Sequence, residues 1–114
     1  MTAGSTTVSI MVTAEMIKRA GRILAEQAPA PATVILFGSH ARGDARADSD
    51  LDFLVIEPEV ARPRAESARL RCALLDIEAP IDVIVVSRQH ADDWAGVEGT
   101  LINAALGEGR VLSG

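Results

Sequence analysis

Two aspartates separated by one residue lie in the middle of the 114-residue chain. Asp50 and Asp52 stand at the start of an apolar run, 51–56, whose composition is typical of a β-strand. Side chains two residues apart project from the same face of a strand, so these carboxylates would repel each other unless a cation lay between them. Magnesium prefers such oxygen ligands, together with phosphate oxygens and water. An isolated Asp-x-Asp is more often a solvated strand end.

A third aspartate favours the metal site. Asp82 lies within Ile81–Val86, a run that is otherwise typical of a buried strand. An unpaired carboxylate there would be costly and needs a cation or a strong hydrogen-bonding partner. If the two strands are neighbours, Asp52 and Asp82 meet at one edge of the sheet. Two metal ions about 3.5–4 Å apart, bridged by carboxylates, can activate an attacking oxygen and stabilise a leaving one in phosphoryl or nucleotidyl transfer.

A glycine and a serine form a second candidate site where another apolar run, 33–37, ends. Gly38 lets the backbone approach a ligand closely, and the first amides of a following helix have no partner within that helix. The Ser39 hydroxyl adds one more donor, so this turn could bind phosphate. A Gly-Ser pair taken alone is far more often a simple turn.

Together these residues resemble a known family. Gly38-Ser39, ten further residues and Asp50-Leu51-Asp52 are similar to the signature of the polymerase-β-type nucleotidyltransferase superfamily. The fuller Gly-Ser-x-Ala-Arg-Gly, followed by Ser-Asp-Leu-Asp, resembles its small prokaryotic branch, the minimal nucleotidyltransferases. The resemblance covers residues 34–55, the strand at 81–86 and the ending at 101–112. It implies an α/β fold, a small mixed β-sheet with flanking helices.

The resemblance also implies roles for the residues of the Gly-Ser turn. Gly38 and Ser39 would hold the triphosphate of an incoming nucleotide. Arg42 matches the arginine of the family motif and is expected near phosphate. His40 occupies a variable position of that motif, so its role stays open.

For the aspartates, the resemblance implies a catalytic two-metal site. Asp50 and Asp52 would coordinate two Mg²⁺ ions. Asp82 would ligate the catalytic metal and help to deprotonate the acceptor hydroxyl. The nucleotide donor implied by the family is ATP, although the motifs do not fix the nucleobase.

The minimal branch further implies a partner protein. Its members are often antitoxins whose toxin is an all-helical HEPN protein, and some transfer AMP from ATP to a tyrosine of that toxin. We therefore expect adenylylation of a HEPN-type toxin. Two alternatives stay open: a binding module that neutralises its partner by occlusion, and nucleotidyl transfer to a small molecule, such as an aminoglycoside, or to an RNA end. A homo-oligomer could supply an acceptor-binding surface that so short a chain lacks.

Composition excludes several other classes of protein. Eleven basic and sixteen acidic residues give a net charge of −5, which argues against a basic protein that binds along nucleic acid. The single cysteine, Cys72, excludes an internal disulfide and a multi-cysteine zinc site. Apolar runs fall short of the roughly 20 residues of a membrane span, and no signal peptide is visible. We expect a cytoplasmic protein with a flexible lead-in at 1–12 and a single domain at 13–114.

The elements that must position these residues alternate between helix and strand. Thr13 can cap the first helix, and the prolines after Ala28 end it. The long helical connection between the second and third strands favours a parallel pair. In chain order we expect a helix from residue 14, a strand at 33–37, a short helix around 40–45, a strand at 51–56, a helix over 61–77, a strand at 81–86, a helix over 97–106 and an edge strand at 111–112.

Helix 61–77 is apolar on two sides, which predicts either a sandwiched helix or a partner interface. One side is a stripe of alanines with Cys72, and leucines lie nearly opposite. We expect Cys72 and Trp94 to be core residues and the arginines of this helix to form a solvated face. His40 and His90 are too few and too far apart for a zinc site.

Overall fold

The computed structural model describes residues 12–46 and 48–114. The predicted lead-in, apart from Val12, therefore lies outside the described residues. Within them, helices and strands alternate along the chain as expected up to the third strand, which is followed by two helices and a last strand. Their bounds are α1 (Ala14–Gln27), β1 (Thr33–Phe37), α2 (Ser39–Arg42), β2 (Leu51–Glu57), α3 (Pro63–Cys72), β3 (Ile81–Ser87), α4 (Arg88–Trp94), α5 (Leu101–Glu108) and β4 (Arg110–Ser113).

The strands form one mixed sheet in the order β3-β2-β1-β4. β1 is antiparallel to both β2 and β4, whereas β2 and β3 are parallel and joined through α3. Parallel neighbours need a long crossover connection, and α3 lies in it. The mixed sheet with flanking helices, the parallel pair and the edge strand are confirmed.

Each face of the sheet has its own core. Val34, Phe53 and Val55 pack with α1 and α3 on one face, whereas Leu54 and Ile56 pack with α4 and α5 on the other. Because successive strand residues alternate between faces, the positions two before Leu54 and Ile84 also belong to the face of α4 and α5. These positions are Asp52 and Asp82, so the topology assigns both carboxylates to one face.

The first helix follows its predicted signals closely. The Thr13 side chain accepts a hydrogen bond from the Met16 amide at 3.2 Å, which caps α1 as expected. The helix ends at Gln27, just before the prolines. None of the helices in residues 12–46 and 48–114 is long and apolar enough to cross a membrane.

The alanine–cysteine stripe of the predicted helix was expected to face the core, but the opposite side is buried. Helix α3 ends at Cys72, short of the predicted 77, and turns continue the chain. Leu70, Leu74 and Ile77 pack into the core, whereas Cys72 is exposed and Leu75 is 69% exposed. Leucine and isoleucine side chains are larger than those of alanine and cysteine, so burying them removes more apolar area from water. The leucine side therefore packs against the sheet. The prediction of Cys72 as a core residue is wrong.

The C-terminal helices also differ from the prediction. α4 was not expected, and it begins where the Ser87 hydroxyl accepts a hydrogen bond from the His90 amide. α5 covers 101–108 rather than 97–106, because Thr100 caps it by accepting from the Asn103 amide. Trp94 ends α4 with 43% of its surface exposed, so its prediction as a core residue is wrong. The short helix expected around 40–45 lies at 39–42.

Candidate active site

Strand register brings two of the aspartates side by side. Asp52 of β2 and Asp82 of β3 are direct partners in the parallel ladder, and Asp50 immediately precedes β2. One carboxylate oxygen from each of the three lies within 4.8 Å of the others. Asp50 and Asp82 are exposed, whereas Asp52 is half-buried. We call these three residues the aspartate cluster.

The aspartate cluster has no neutralising cation among residues 12–46 and 48–114, because none of the salt bridges there involves its members. Burial raises the pKa of the Asp52 carboxyl above its ordinary value, and the nearby charges of Asp82 and Asp50 raise it further. His40 and Arg42 offset part of this rise. Three hard oxygen donors that repel one another this closely match the ligand set that Mg²⁺ prefers.

Gly38 lies directly against the aspartate cluster. It follows Phe37, the register partner of Asp52, and adopts φ +79°, a left-handed conformation that favours glycine. A side chain at this position would strike the Asp52 carboxylate, because an ideal Cβ would collide with Oδ2 and lie 3.3 Å from Cγ. Glycine therefore allows the turn after β1 to approach the cluster.

The other residues of the Gly-Ser motif surround this turn. Ser39 begins α2, and Arg42 ends it. The Arg42 side chain donates from Nε to Asp44 Oδ2 at 3.2 Å. His40 Nε2 lies 3.3 Å from the Ser49 carbonyl oxygen. Because a carbonyl only accepts, this contact needs the proton on Nε2, and it links α2 to the segment that leads into Asp50.

Glu108 is a site residue that the sequence reasoning missed. Its Oε2 accepts a hydrogen bond from the Gly38 amide at 2.8 Å and another from Arg42 Nη1 at 3.0 Å. The predicted last helix stopped at Leu106, which left Glu108 in a loop. The available signal was the acidic residue itself, just before the edge strand.

Two open cavities adjoin the site. One of 410 Å³ lies between the Gly38 turn and α5 and includes Arg42, Asn103 and Glu108 in its lining. The other, of 360 Å³, is mainly apolar and has Ile84 and Trp94 among its lining residues. Ile84 is two residues beyond Asp82 on the same face of β3, so this cavity begins about 7 Å along the strand from the aspartate cluster.

Solved structures with a similar fold include one with a nucleotide analogue and one of a candidate nucleotidyltransferase. One is a chain from the crystal structure of a toxin–antitoxin with AMP-PNP, with a TM-score of 0.63 and 16% identity over 85% of this chain and 73% of that one. Another is a candidate nucleotidyltransferase from Sulfolobus solfataricus, with a TM-score of 0.57 and 21% identity over 85% of this chain and 76% of that one. At these identities the likeness shows the fold alone.

Sequence comparison assigns the family. No curated protein gives a significant match to the chain. The family model described as a nucleotidyltransferase domain matches residues 17–103, a range that includes the Gly38 turn and the whole aspartate cluster. The chain belongs to the nucleotidyltransferase domain family.

Proposed function

We propose that the chain is a Mg²⁺-dependent nucleotidyltransferase that transfers AMP from ATP to a hydroxyl group of a cognate HEPN-type toxin, and that it thereby acts as an antitoxin. The aspartate cluster carries this proposal. Three carboxylates meet at the edge of a nucleotidyltransferase domain, beside a glycine turn and without a neutralising cation among the described residues.

The reaction joins the acceptor oxygen to the α-phosphorus of ATP and breaks the bond from that phosphorus to the leaving pyrophosphate. Asp50, Asp52 and Asp82 would hold Mg²⁺, which supplies charge stabilisation for the attacking and leaving oxygens when it is bound. Asp82 is exposed at the start of β3, where an acceptor can reach it, and its carboxylate accepts the proton of the hydroxyl.

The Gly38 turn supports the nucleotide side of the proposal. Gly38 closely approaches Asp52, and Ser39 follows it as the first residue of α2, so the Ser39 hydroxyl is available to donate to phosphate. Arg42 has donors beyond those used by Asp44 and Glu108, since a guanidinium carries five. These groups orient the triphosphate so that its α-phosphorus lies beside the cluster.

Two observations support a protein acceptor and an antitoxin role. A chain of similar fold occurs in a toxin–antitoxin crystal structure with AMP-PNP, an ATP analogue. In this chain, large apolar side chains are exposed around the cavity that begins near Asp82: Trp94 is 43% exposed and Leu101 is 44% exposed. Exposed apolar side chains grouped beside a polar site are typical of interaction surfaces.

The test is transfer of label from each α-labelled NTP, with Mg²⁺, to components of a lysate of the source organism. Label from ATP on a single protein, lost in Asp50→Asn/Asp52→Asn, is the expected result. The matched control is Asp76→Asn/Asp92→Asn, which removes the same charge from exposed aspartates outside the cluster. Retained transfer in the first variant would contradict the mechanism, and label in RNA or small molecules would contradict the protein acceptor.

A non-catalytic binding module is the second candidate, and the exposed apolar side chains also favour it. An occluding antitoxin needs a contact surface but neither ATP nor the aspartate cluster. Neutralisation of the partner by the Asp50→Asn/Asp52→Asn variant without ATP would favour this candidate over nucleotidyl transfer.

A further inference from the structure

Glu108 ties the end of the last helix to the turn beside the aspartate cluster. Its Oε2 accepts from the Gly38 amide at 2.8 Å and from Arg42 Nη1 at 3.0 Å, so one oxygen holds two groups of the nucleotide side of the site. The residues lie 70 and 66 positions apart in sequence. Three-quarters of the Glu108 side-chain surface is covered, because its exposed fraction is 25%.

The stability of α5 does not account for an acidic residue at this position. Glu108 is the last residue of α5, and the C-terminal end of a helix carries a partial negative charge that disfavours a carboxylate. The charge is balanced by the Gly38 amide and the Arg42 guanidinium, which both belong to the site. A side chain that is unfavourable for its own helix and favourable for a neighbouring site indicates a role in that site.

Backbone packing fixes where Glu108 stands. The next residue, Gly109, donates its amide to the Ala105 carbonyl at 2.9 Å. A Cβ on Gly109 would collide with Ile35 and would lie 3.0 Å from the Leu36 carbonyl oxygen, so the end of α5 is pressed against β1. Because β1 leads directly into Gly38, the same contact aligns Glu108 with the turn.

Gly38 is thereby held from two sides. The space where a Cβ would lie is filled by the Asp52 carboxylate, and the Gly38 amide donates its single hydrogen to Glu108. Arg42 is held in a similar way, since Nε donates to Asp44 and Nη1 donates to Glu108. These bonds leave Nη2 without a partner among the described residues. Glu108 therefore sets the distance between the turn and the cluster and orients the remaining face of Arg42.

We infer that Glu108 is a positioning residue for the nucleotide: it acts through Gly38 and Arg42 to hold the turn in the conformation that receives the phosphates. This inference rests on the proposed function. A glutamine oxygen can accept the same two hydrogen bonds without the charge, whereas alanine removes both. Comparing the two substitutions therefore separates the effect of the Glu108 hydrogen bonds from the effect of its charge.

The experiment compares Glu108→Ala, Glu108→Gln and the wild type in Mg·ATP binding, followed with a fluorescent ATP analogue, and in steady-state transfer. Loss of two hydrogen bonds, one of them to a charged donor, predicts that Glu108→Ala raises Kd and KM about tenfold or more. We expect kcat to change less than about threefold, because the group is remote from the reacting atoms. Glu108→Gln should recover most of the affinity.

Two controls separate positioning from a general loss of folding. Glu98→Ala removes an exposed glutamate in the connection before α5 and should leave Kd and KM unchanged. In a double-mutant cycle, Glu108→Ala should cost less in the Arg42→Ala background than in the wild type, because the Arg42–Glu108 hydrogen bond is already lost there and only the bond from Gly38 remains to be removed. A purely structural role would lower the unfolding temperature without raising the KM of the folded chain.

Each contrary outcome has a distinct meaning. Unchanged affinity in Glu108→Ala, with a wild type that binds and transfers, would overturn this inference alone. Tighter nucleotide binding in Glu108→Ala would also overturn it, since Glu108 would then compete with phosphate for Gly38 and Arg42. A wild type that binds no Mg·ATP would overturn the proposed function and this inference together.

Discussion

The start of β2 carries the aspartate cluster, whereas its last residue, Glu57, pairs with Glu66 of α3. Residues 52 and 57 lie an odd number of positions apart, so the two groups occupy opposite faces as well as opposite ends of the strand. The aspartate cluster lies open at the sheet edge, but Glu57 is only 2% exposed. We call Glu57 and Glu66 the glutamate pair.

The protein neutralises the glutamate pair with its own groups. Arg69 donates to both oxygens of Glu66, at 2.8 and 2.7 Å, and to the Gln27 carbonyl oxygen at 2.8 Å. Burial, together with the hydrogen bond and the charge of Glu66, raises the pKa of Glu57 to about 7, so Glu57 retains a proton in mildly acidic solution. That proton explains why Glu57 Oε2 has no conventional donor among the described residues.

The glutamate pair and the aspartate cluster differ in how their negative charge is balanced. One arginine and one proton balance the glutamate pair, which joins β2 to α3 and, through Arg69, to the end of α1. No salt bridge among the described residues neutralises the aspartate cluster, although burial and the charges of Asp82 and Asp50 raise the pKa of Asp52. Charge repulsion that the fold does not offset is a common property of functional sites. Under the proposed function, one end of β2 contributes stability and the other contributes chemistry.

The largest expected effect is on transfer. Asp82→Asn keeps the shape of the side chain but removes the proton acceptor and one metal ligand, so we expect activity to fall about 10³-fold. The metal-free variant should be at least as stable as the wild type, because repulsion within the cluster is reduced. Activity assays and thermal unfolding in EDTA check both parts. A strongly destabilised variant would mean that the cluster, like the glutamate pair, is structural.

Gly38→Ala tests the close approach of the turn to the cluster. It combines a strained positive φ with a collision at Asp52, and we expect a loss of about 3 kcal/mol in the free energy of unfolding. Gly43→Ala is the matched control, since Gly43 also has a positive φ (+86°) but no atom within 4 Å of its Cβ position. Its expected loss is about 1 kcal/mol. Urea unfolding measures both losses. Equal losses would show that the contact with Asp52 does not contribute to the destabilisation.

Glu57→Gln tests the shared proton at the other end of the strand. The pKa of Glu57 is about 7 in the folded protein against an ordinary 4.5, so the folded chain binds more protons between these pH values and loses stability as the pH rises through them. The pKa of Glu66 is lowered to about 2, mainly by its hydrogen bond with Arg69, so its contribution is lost as the pH falls from 4.5 towards 2.

A neutral glutamine that donates to Glu66 keeps the pair and removes the titration of Glu57. We therefore expect Glu57→Gln to match the wild type at pH 5 and to exceed its stability by about 2 kcal/mol at pH 8. Chemical unfolding at both pH values checks this, with the exposed Glu59→Gln as control. If Glu57→Gln followed the pH dependence of the wild type, the proton would not reside on Glu57.

The smallest effect is stabilisation by the metal itself. Mg²⁺ at ten times its Kd should stabilise the wild type by about 1.4 kcal/mol, because it binds the folded chain and not the unfolded one. Glu57→Gln should gain the same amount, whereas Asp50→Asn/Asp52→Asn should gain little. Thermal unfolding with and without MgCl₂ measures this gain, and equal gains in all three proteins would locate the metal elsewhere.

Local patterns were enough to predict much of the fold and of the cluster. The apolar run 33–37 has the bounds of β1, and the helical connection correctly predicted the parallel pair that places Asp52 beside Asp82. Features that depend on how the helices pack on the sheet were not predicted. The burial of Leu74 rather than Cys72, and the contact of Glu108 with the turn, follow from how α3 and α5 pack on the sheet, and single-chain periodicity carries no signal for this.

The most direct test of the comparison is a titration with Mn²⁺, as a paramagnetic substitute for Mg²⁺, followed by electron paramagnetic resonance. The wild type, Asp52→Asn and Glu57→Gln would be measured side by side at pH 7 with AMP-PNP. If the aspartate cluster holds the metal, the wild type and Glu57→Gln bind Mn²⁺ equally and Asp52→Asn loses most of the binding. Unchanged binding in Asp52→Asn, or lost binding in Glu57→Gln, would contradict the assignment of chemistry to the aspartate cluster.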